Sequence, residues 1–239
     1  MSVIIPAYNE VSELWRCVDL VKKEVGRVAE SYEIIIAEDG SNDGTDRVAE
    51  ELSLENPRVV HLHSDGRLGR GAALETAFNR AIGEILVYLD ADLATNLGSL
   101  HRLVEEAESS RGIVTGSRYL KKSRVRRPFS RWAASKIYNL FVRLAFRDGV
   151  HDHQCGFKAF HRESVDALLG EVEADGWFWD TEVIIRARKR GYPVVEIPVE
   201  WMETRVNGGS KVQLLNDTIG FVKNLARLWW ALNHKERIL

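Results

Sequence analysis

The sequence predicts an α/β fold in which a mostly parallel β-sheet is flanked by helices. Short apolar runs rich in β-branched residues alternate with longer stretches of helical periodicity along the first half of the chain. Acidic and glycine residues follow several of these runs, which is where parallel sheets bind their ligands. The 239 residues are 45% hydrophobic and 28% charged, as in a folded protein. We therefore expect a single α/β domain over residues 1–239.

Five strands and four helices are predicted in residues 1–116. The strands cover Val3–Ile5, Tyr32–Ala37, Val59–Leu62, Ile85–Leu89 and Ile113–Gly116. The helices cover about residues 10–30, 45–54, 71–82 and 97–109. Because strand and helix alternate, the strands should run parallel, with their carboxyl ends along one edge of the sheet.

Residues 117–239 lose this regular alternation. They predict a basic loop, a helix from about Ser130 to Arg147, a helix over 180–190, a strand at Val194–Val199 and a long C-terminal helix. Both long helices are amphipathic, and the first has an apolar stripe formed by Ala133, Ile137, Leu140, Phe141 and Leu144. The C-terminal helix has an apolar arc wider than the ~100° that a core needs. The apolar surface beyond this width could contact a membrane, a partner subunit or more of the core.

The charge distribution indicates a phosphate-bearing partner. The formal net charge is −2, yet residues 118–147 contain ten Lys and Arg and no Asp or Glu. Such a block of basic residues favours binding to the phosphate of a lipid, a nucleotide or a nucleic acid.

The compartment is indicated by three features of the sequence. The two cysteines, Cys17 and Cys155, form no disulfide framework, no apolar run is long enough to span a membrane, and the N-terminus resembles no signal peptide. We therefore expect exposure to the cytosol.

Asp90-Ala-Asp92 directly follows the predicted strand Ile85–Leu89. Two carboxylates at a strand end can converge on a hard divalent cation that holds a diphosphate. The same pattern also occurs as a turn or helix cap, and the residues alone leave both interpretations open. Tyr8 and Asp39 follow the first two strands, where they could stack on a base and accept hydrogen bonds from a nucleoside. Residues 39–44 are also typical of a turn followed by a cap.

Five segments together resemble the inverting GT-A glycosyltransferases, and most of all the dolichyl-phosphate mannose and glucose synthases. They are Val3–Glu10, Glu38–Thr45, Gly69–Ala73, Asp90–Asp92 and Gly116–Tyr119, in a resemblance that extends from residue 2 to about 212. It implies a GT-A fold, with residues 1–116 binding the nucleotide sugar and 117–239 binding the acceptor and the membrane interface. The implied reaction is inverting, metal-dependent transfer of a hexose to a polyprenyl or dolichyl phosphate.

The resemblance also implies roles for individual residues. The nucleotide-sugar ligands are Pro6, Tyr8, Glu10, Asp39, Asp90 and Arg118, and Asp90 and Asp92 hold Mg²⁺ or Mn²⁺. The acceptor phosphate contacts are Arg118, Arg131 and Ser135. The catalytic group comprises Asp92, Arg118, Arg205 and Lys211, which neutralise the charge on the phosphates and the leaving group. Without the resemblance, the basic residues could equally form a solvated helix face and a plain surface loop.

Two departures from the mannose synthases favour UDP-glucose over GDP-mannose as the donor. Ala94 stands where those enzymes carry a metal-site Gln, and Asp152–Lys158 looks like the matching segment of the glucose synthases. The expected partners are the nucleotide sugar, the lipid phosphate and a membrane surface, and no nucleic acid. We expect a cytoplasmic protein that is peripheral on the cytoplasmic face of a membrane.

Three alternatives compete with this interpretation. A transferase with a hydroxyl acceptor, such as a glycan or a small molecule, would need Glu182 as a base, whereas a phosphate acceptor leaves Glu182 structural. A non-enzymatic module that binds anionic membranes or nucleic acid would have no use for the acidic motifs. A Rossmann dehydrogenase is disfavoured because the first strand leads into no GxGxxG turn. His151 and His153 are interpreted as polar loop residues.

Overall fold

The computed structural model describes residues 1–203 and 214–234, and it shows a seven-stranded sheet between two layers of helices. The strands of this sheet are β1 (Ser2–Ala7), β2 (Glu33–Glu38), β3 (Val59–Leu62), β4 (Ile85–Leu89), β5 (Ile113–Ser117), β7 (Phe157–His161) and β8 (Val194–Pro198). A separate parallel pair is formed by β6 (Arg124–Arg126) and β9 (Glu200–Met202). The α/β architecture predicted from the sequence is confirmed.

Helices follow or precede most strands. They are α1 (Leu14–Val28), α2 (Thr45–Glu55), α3 (Arg70–Arg80), α4 (Leu100–Ser110), α5 (Phe129–Phe146), α6 (Arg162–Asp166), α7 (Trp179–Lys189) and α8 (Leu214–His234). Helix α1 starts four residues later than expected, because residues 10–13 form turns in which the amides of Glu13 and Leu14 donate to the Glu10 carbonyl.

The strand order is β3-β2-β1-β4-β7-β5-β8, with every neighbouring pair parallel except those made by β7. The sequence did not predict β7, an antiparallel strand in the middle of the sheet. All five of its residues are buried, including Lys158 and His161. Its residues alternate between apolar and polar only from Phe157 to Ala159, which is too short a pattern to indicate a strand.

The core lies on both faces of the sheet. Val3 and Ile5 of β1 pack with α1 and α4, whereas Ile4 packs on the opposite face with α3, α5 and α7. Helix α1 fits the first layer because its buried residues recur at helical spacing, at Leu14, Cys17, Val18, Val21 and Val25. With strands β1, β2 and β4 fixed side by side, their carboxyl ends open onto one edge.

The described part of helix α8 divides its apolar residues between core and surface. Leu228 and Leu232 are buried, and Phe221 and Leu225 pack against the same core. Val222, Trp229 and Trp230 are exposed, as are Ile137, Leu140, Phe141 and Leu144 of α5. Within residues 1–203 and 214–234, no helix combines the length and the apolar character needed to cross a membrane.

Candidate active site

A cavity opens at the carboxyl ends of β1, β2 and β4, where the sequence placed the donor site. It brings together six of the predicted residues: Pro6, Tyr8, Glu10, Asp39, Asp90 and Asp92. Its other lining residues include four charged or aromatic side chains that were not predicted as site residues: Arg67, Arg70, Trp177 and Glu203. They come from distant parts of the chain, and only Arg70 lay within a segment that the sequence analysis had singled out.

Asp39 is anchored by the loop that follows β3. Its Oδ1 accepts the amide of Leu68 at 2.6 Å, and its Oδ2 accepts the amide of Gly69 at 3.1 Å. A carboxylate has about four acceptor positions, so Asp39 can accept further hydrogen bonds from a ligand.

The same loop, which follows β3, places the guanidinium carbon of Arg67 4.2 Å from the ring centroid of Tyr8. Arg67 therefore covers one face of the Tyr8 ring.

Asp90 and Asp92 line this cavity at the end of β4. The backbone at Gly156 lies so close to Asp90 that an added Cβ would be 1.8 Å from Oδ2, so only glycine leaves room for this carboxylate. The amide of Ala94 donates to Asp92 Oδ1 at 3.1 Å, and the amide of Leu93 donates to the Asp90 carbonyl at 3.0 Å. Asp90 and Asp92 thus belong to a turn, which is one of the two interpretations that the sequence left open. Their carboxylates also offer the hard oxygen ligands that suit Mg²⁺ or Mn²⁺.

A buried charge network holds Asp90 from behind. The guanidinium of Arg70 contacts Asp90 Oδ1 and Asp180 Oδ2, each at 2.6 Å, and Lys158 Nζ lies 2.7 Å from Asp180 Oδ1. Burial alone would raise the pKa of Asp180, but Lys158 and Arg70 outweigh it and hold this pKa below its usual value. Asp180 therefore stays ionised and fixes Arg70 against Asp90. No pattern in the sequence indicates this network, because its members lie 20 to 110 positions apart in the chain.

A second cavity, of about 590 Å³, lies beside α5. Its lining mixes cations with apolar and aromatic side chains, including Arg118, Trp132, Lys136, Ile137, Leu140 and Arg143. Arg118 is paired with Asp152 through Nε–Oδ2 at 2.7 Å and Nη2–Oδ1 at 2.8 Å. Burial would raise the pKa of Asp152, but Arg118 outweighs it and holds this pKa below its usual value. The two form a buried ion pair.

The other predicted acceptor residues are also partnered. Arg131 Nη1 lies 3.0 Å from Glu203 Oε2, and Glu203 itself lines the donor cavity. The Ser135 hydroxyl accepts a hydrogen bond from Arg127 Nη1 at 3.0 Å and pairs with the hydroxyl of Tyr119. Arg118, Arg131 and Ser135 thus lie in one region, linked to the donor cavity through Glu203. Arg205 and Lys211 lie outside the described residues, so their predicted role stays a prediction.

Glu182 is buried on α7. Its carboxylate accepts the amides of Glu173 and Ala174, each at 3.1 Å, and pairs with Arg186 at 2.7 Å. These contacts support the structural interpretation of Glu182.

The two loop histidines have hydrogen-bonding roles. His153 is fully buried, with Nδ1 2.8 Å from Asn139 Oδ1 and Nε2 2.5 Å from Asp148 Oδ2. His151 Nδ1 contacts Glu196 Oε2 at 2.7 Å. The sequence had suggested polar loop residues, and the structure adds that His153 is part of the interior.

The fold matches a solved structure closely. Glucosyl-3-phosphoglycerate synthase from Mycobacterium tuberculosis, solved in complex with Mn²⁺ and UDP, superimposes with a TM-score of 0.69 at 18% identity, over 97% of this chain and 78% of that one. This similarity confirms the predicted GT-A fold.

Three curated relatives are similar in sequence. Glycosyltransferase AglD of Haloferax volcanii is 44% identical over the full chain, which spans 38% of that longer protein. A dolichyl-phosphate beta-glucosyltransferase of Trichomonas vaginalis is 33% identical over 90% of this chain and 68% of its own length. Polyprenol monophosphomannose synthase of Mycolicibacterium smegmatis is 33% identical over 88% and 80%. The model of glycosyl transferase family 2 matches residues 2–169, and the chain belongs to this family of glycosyltransferases.

Proposed function

We propose that this glycosyltransferase moves a hexose from a nucleotide sugar to a polyprenyl or dolichyl phosphate, with inversion at the anomeric carbon. The observation that carries the proposal is the adjacency of two unlike sites. The donor cavity presents Asp39, Asp90 and Asp92, whereas the neighbouring cavity combines Arg118 and Lys136 with apolar residues of α5. An acidic metal-binding site suits a nucleoside diphosphate, and a basic, apolar site suits a lipid phosphate.

On the donor side, Tyr8 stacks on the base and Asp39 accepts hydrogen bonds from the nucleoside. Asp90 and Asp92 hold a divalent cation, Mg²⁺ or Mn²⁺, which supplies positive charge to the diphosphate. Arg70 keeps Asp90 in position from behind. The dolichyl and polyprenol synthases among the relatives, and the Mn²⁺ and UDP named for the solved neighbour, support this assignment.

On the acceptor side, the nucleophile is a phosphate oxygen that is already anionic near neutral pH. Catalysis therefore consists of bringing anions together, and requires no general base. Arg118 and Arg131 neutralise the acceptor phosphate, with Ser135 as a hydrogen-bonding partner. Arg205 and Lys211 act on the departing nucleoside diphosphate. For Arg131 to bind phosphate, its contact with Glu203 has to open.

Glucose is the favoured hexose and mannose the next. Ala94 offers no side-chain ligand to a metal, unlike the Gln of mannose synthases. Within the glucose-synthase-like segment, Asp152 holds Arg118 and Lys158 holds Asp180, so this segment supports both sites. UDP-glucose is therefore the proposed donor, with GDP-mannose as the competitor.

The acceptor would be reached at the cytoplasmic face of a membrane. Phe141 and Leu144 of α5 are 63% and 67% exposed, and Trp229 and Trp230 of α8 add exposed aromatic surface. Lys121, Lys122 and Arg126 are exposed in the loop and β6 that precede α5. Shallow insertion of apolar side chains combined with basic residues is typical of peripheral attachment to anionic lipid.

The decisive experiment incubates the chain with labelled UDP-glucose or GDP-mannose and with dolichyl or undecaprenyl phosphate. We expect a sugar-linked lipid, formed best from UDP-glucose. Sugar transfer to glycans or small polyols, with none to lipid phosphate, would overturn the proposal. In that case Glu182 would be the base, although its present contacts enclose the carboxylate.

A further inference from the structure

Three potential metal ligands meet at the edge of the sheet, outside the catalytic site. Glu38 ends β2, His61 lies within the edge strand β3, and His63 follows that strand. The register pairs Ala37 with Leu62, so Glu38 comes level with His63. His61 and His63 are two residues apart, and a strand puts such residues on the same face. One ligand atom from each of the three residues lies within 4.8 Å of the others.

The contacts of these residues leave a nitrogen ligand without a hydrogen bond. Nε2 of His61 is buried and has no hydrogen-bond partner among the residues that the structure describes. The side chain of Glu38 is fully buried, and its Oε2 lies 2.7 Å from Nδ1 of the half-exposed His63. A buried carboxylate next to an unpartnered imidazole is a site that favours a cation.

We propose that Glu38, His61 and His63 bind a divalent transition-metal ion, Zn²⁺ being the ion that best matches the ligands. Two imidazole nitrogens and one carboxylate oxygen form a common three-residue zinc site that leaves one position for water. Ligands ~2.1 Å from Zn²⁺ lie roughly 3.4 Å apart in a tetrahedron, so the observed spacing needs only small side-chain movements. The amide of Ser41 donates to Oε1 of Glu38 and orients the carboxylate, as outer partners of metal ligands do.

This site differs in chemistry from the one at the end of β4. Asp90 and Asp92 offer only oxygen, which suits Mg²⁺ or Mn²⁺, whereas imidazole ligands select zinc-like ions. The two sites can therefore be filled independently, and the proposal does not depend on the substrate of the enzyme.

The location indicates what the metal does. His63 begins the loop whose Leu68 and Gly69 amides hold Asp39, and Glu38 directly precedes Asp39. A metal that joins Glu38 to His63 ties the end of β2 to the start of this loop. It should stabilise the folded chain and fix the loop that forms one wall of the donor cavity.

The test is a Zn²⁺ titration of the metal-stripped full chain in excess Mg²⁺, followed by calorimetry, with Co²⁺ absorption as a report on coordination. We expect one Zn²⁺ per chain and a tetrahedral Co²⁺ spectrum. His61→Ala and His63→Ala should each weaken Zn²⁺ binding by about tenfold or more. His101→Ala is the matched control, because His101 is an exposed histidine on α4 near Glu105, away from the site. Asp92→Ala should retain the Zn²⁺.

Thermal unfolding provides the second measurement. Zn²⁺ should raise the melting temperature of the wild type and of His101→Ala, and it should leave His63→Ala unchanged. His63 is half exposed, so its replacement should keep the fold even if His61→Ala does not. A wild type that binds no Zn²⁺ in excess Mg²⁺ overturns the proposal. A folded His63→Ala variant that binds Zn²⁺ as well as the wild type does would also overturn it. The contact between Glu38 and His63 in the wild type would then have no part in metal binding.

Discussion

The proposed donor side and acceptor side of this molecule differ in how far their paired charged residues are exposed. In the donor cavity, Asp90 and Asp92 reach the open space, and Asp90 is 39% exposed even with Arg70 behind it. On the acceptor side, Arg118 and Arg131 are each paired with a carboxylate. Although Arg70 pairs with Asp90, the donor side keeps carboxylate surface open to a ligand, whereas the proposed acceptor phosphate has to compete with a more buried internal anion.

The two acceptor-side pairs also differ from each other. The side chains of Arg118 and Asp152 are 8% and 0% exposed, whereas those of Arg131 and Glu203 are 26% and 23% exposed. Water and ions screen the second pair more, so it should open at lower cost. Arg131 is thus the better candidate for exchanging a carboxylate for a phosphate, and Arg118 the better candidate for a fixed positive charge.

The largest effect should come from Asp92→Ala on the donor side. If Asp90 and Asp92 hold the metal that neutralises the diphosphate, turnover should fall by about 10³-fold, comparable with removing a key electrostatic contact. The measurement is the initial rate with the labelled donor, with circular dichroism as the check on folding. Asp19→Ala removes an exposed carboxylate from α1 and should leave the rate unchanged. Full activity of the wild type in excess chelator would contradict the metal assignment.

Asp152→Asn should have the next largest effect, and on stability. It leaves Arg118 buried without its counter-ion, so the free energy of unfolding at pH 7 should fall by about 3 kcal/mol. The pKa of Asp152 is held below 3.8, so the contribution of the carboxylate is complete above pH 3.8. It is lost as the pH falls through the lower folded-state pKa.

The difference between wild type and Asp152→Asn should therefore shrink only at pH values below 3.8. Urea unfolding at several pH values measures it. Glu163→Gln, which breaks the exposed pair with Arg111, should change stability by less than about 1 kcal/mol at any of them. A pH-independent difference for Asp152→Asn would show that the ion pair is not what the substitution removes.

The sequence predicted the donor side far better than the acceptor side, and the physical reason is locality. Asp90 and Asp92 follow a short apolar strand, and Tyr8 and Asp39 follow two others, so the strand pattern alone gathers them at one edge. The partners of Arg118 and Arg131 lie 34 and 72 positions away in the chain. No pattern in the sequence signals such a pairing.

The same limit explains why the sequence did not predict strand β7 or the buried charge network around Arg70 and Asp180. The segment Phe157–His161 alternates between apolar and polar residues only as far as Ala159, and Asp180, the partner of Lys158, lies 22 positions further along the chain. The site formed by Glu38, His61 and His63 was not proposed from the sequence either. His61 and His63 are two residues apart at the end of a predicted strand, and this spacing could have indicated it.

Arg131→Ala should have a moderate effect, confined to the acceptor. The substitution removes one charged contact to the phosphate. In the wild type Glu203 competes with the phosphate for Arg131, which limits the loss. The KM for the lipid phosphate should therefore rise by about tenfold. The affinity for the nucleotide sugar should change less, because Arg131 reaches the donor cavity only through its contact with Glu203. Separate titrations of the two substrates provide the measurement. Equal losses for donor and acceptor would contradict the division between the two sides.

The smallest effect concerns a single basic residue of the surface proposed to meet the membrane. Lys122 is exposed in the loop before β6, and one such charge near an anionic leaflet contributes about 1 kcal/mol. Lys122→Gln should therefore reduce capture by anionic vesicles about fivefold at low salt. Because the Debye length falls from ~10 Å at 0.1 M to ~3 Å at 1 M, the difference should vanish at high salt.

Arg80→Gln is the matched control, since Arg80 is exposed at the end of α3, near the amino ends of the strands and away from the basic segment. It changes the net charge equally and should leave capture unaltered. Equal reductions by Lys122→Gln and Arg80→Gln would show that capture responds to total charge. Attachment would then not depend on the surface around α5, and the comparison between the two sides would concern the substrates alone.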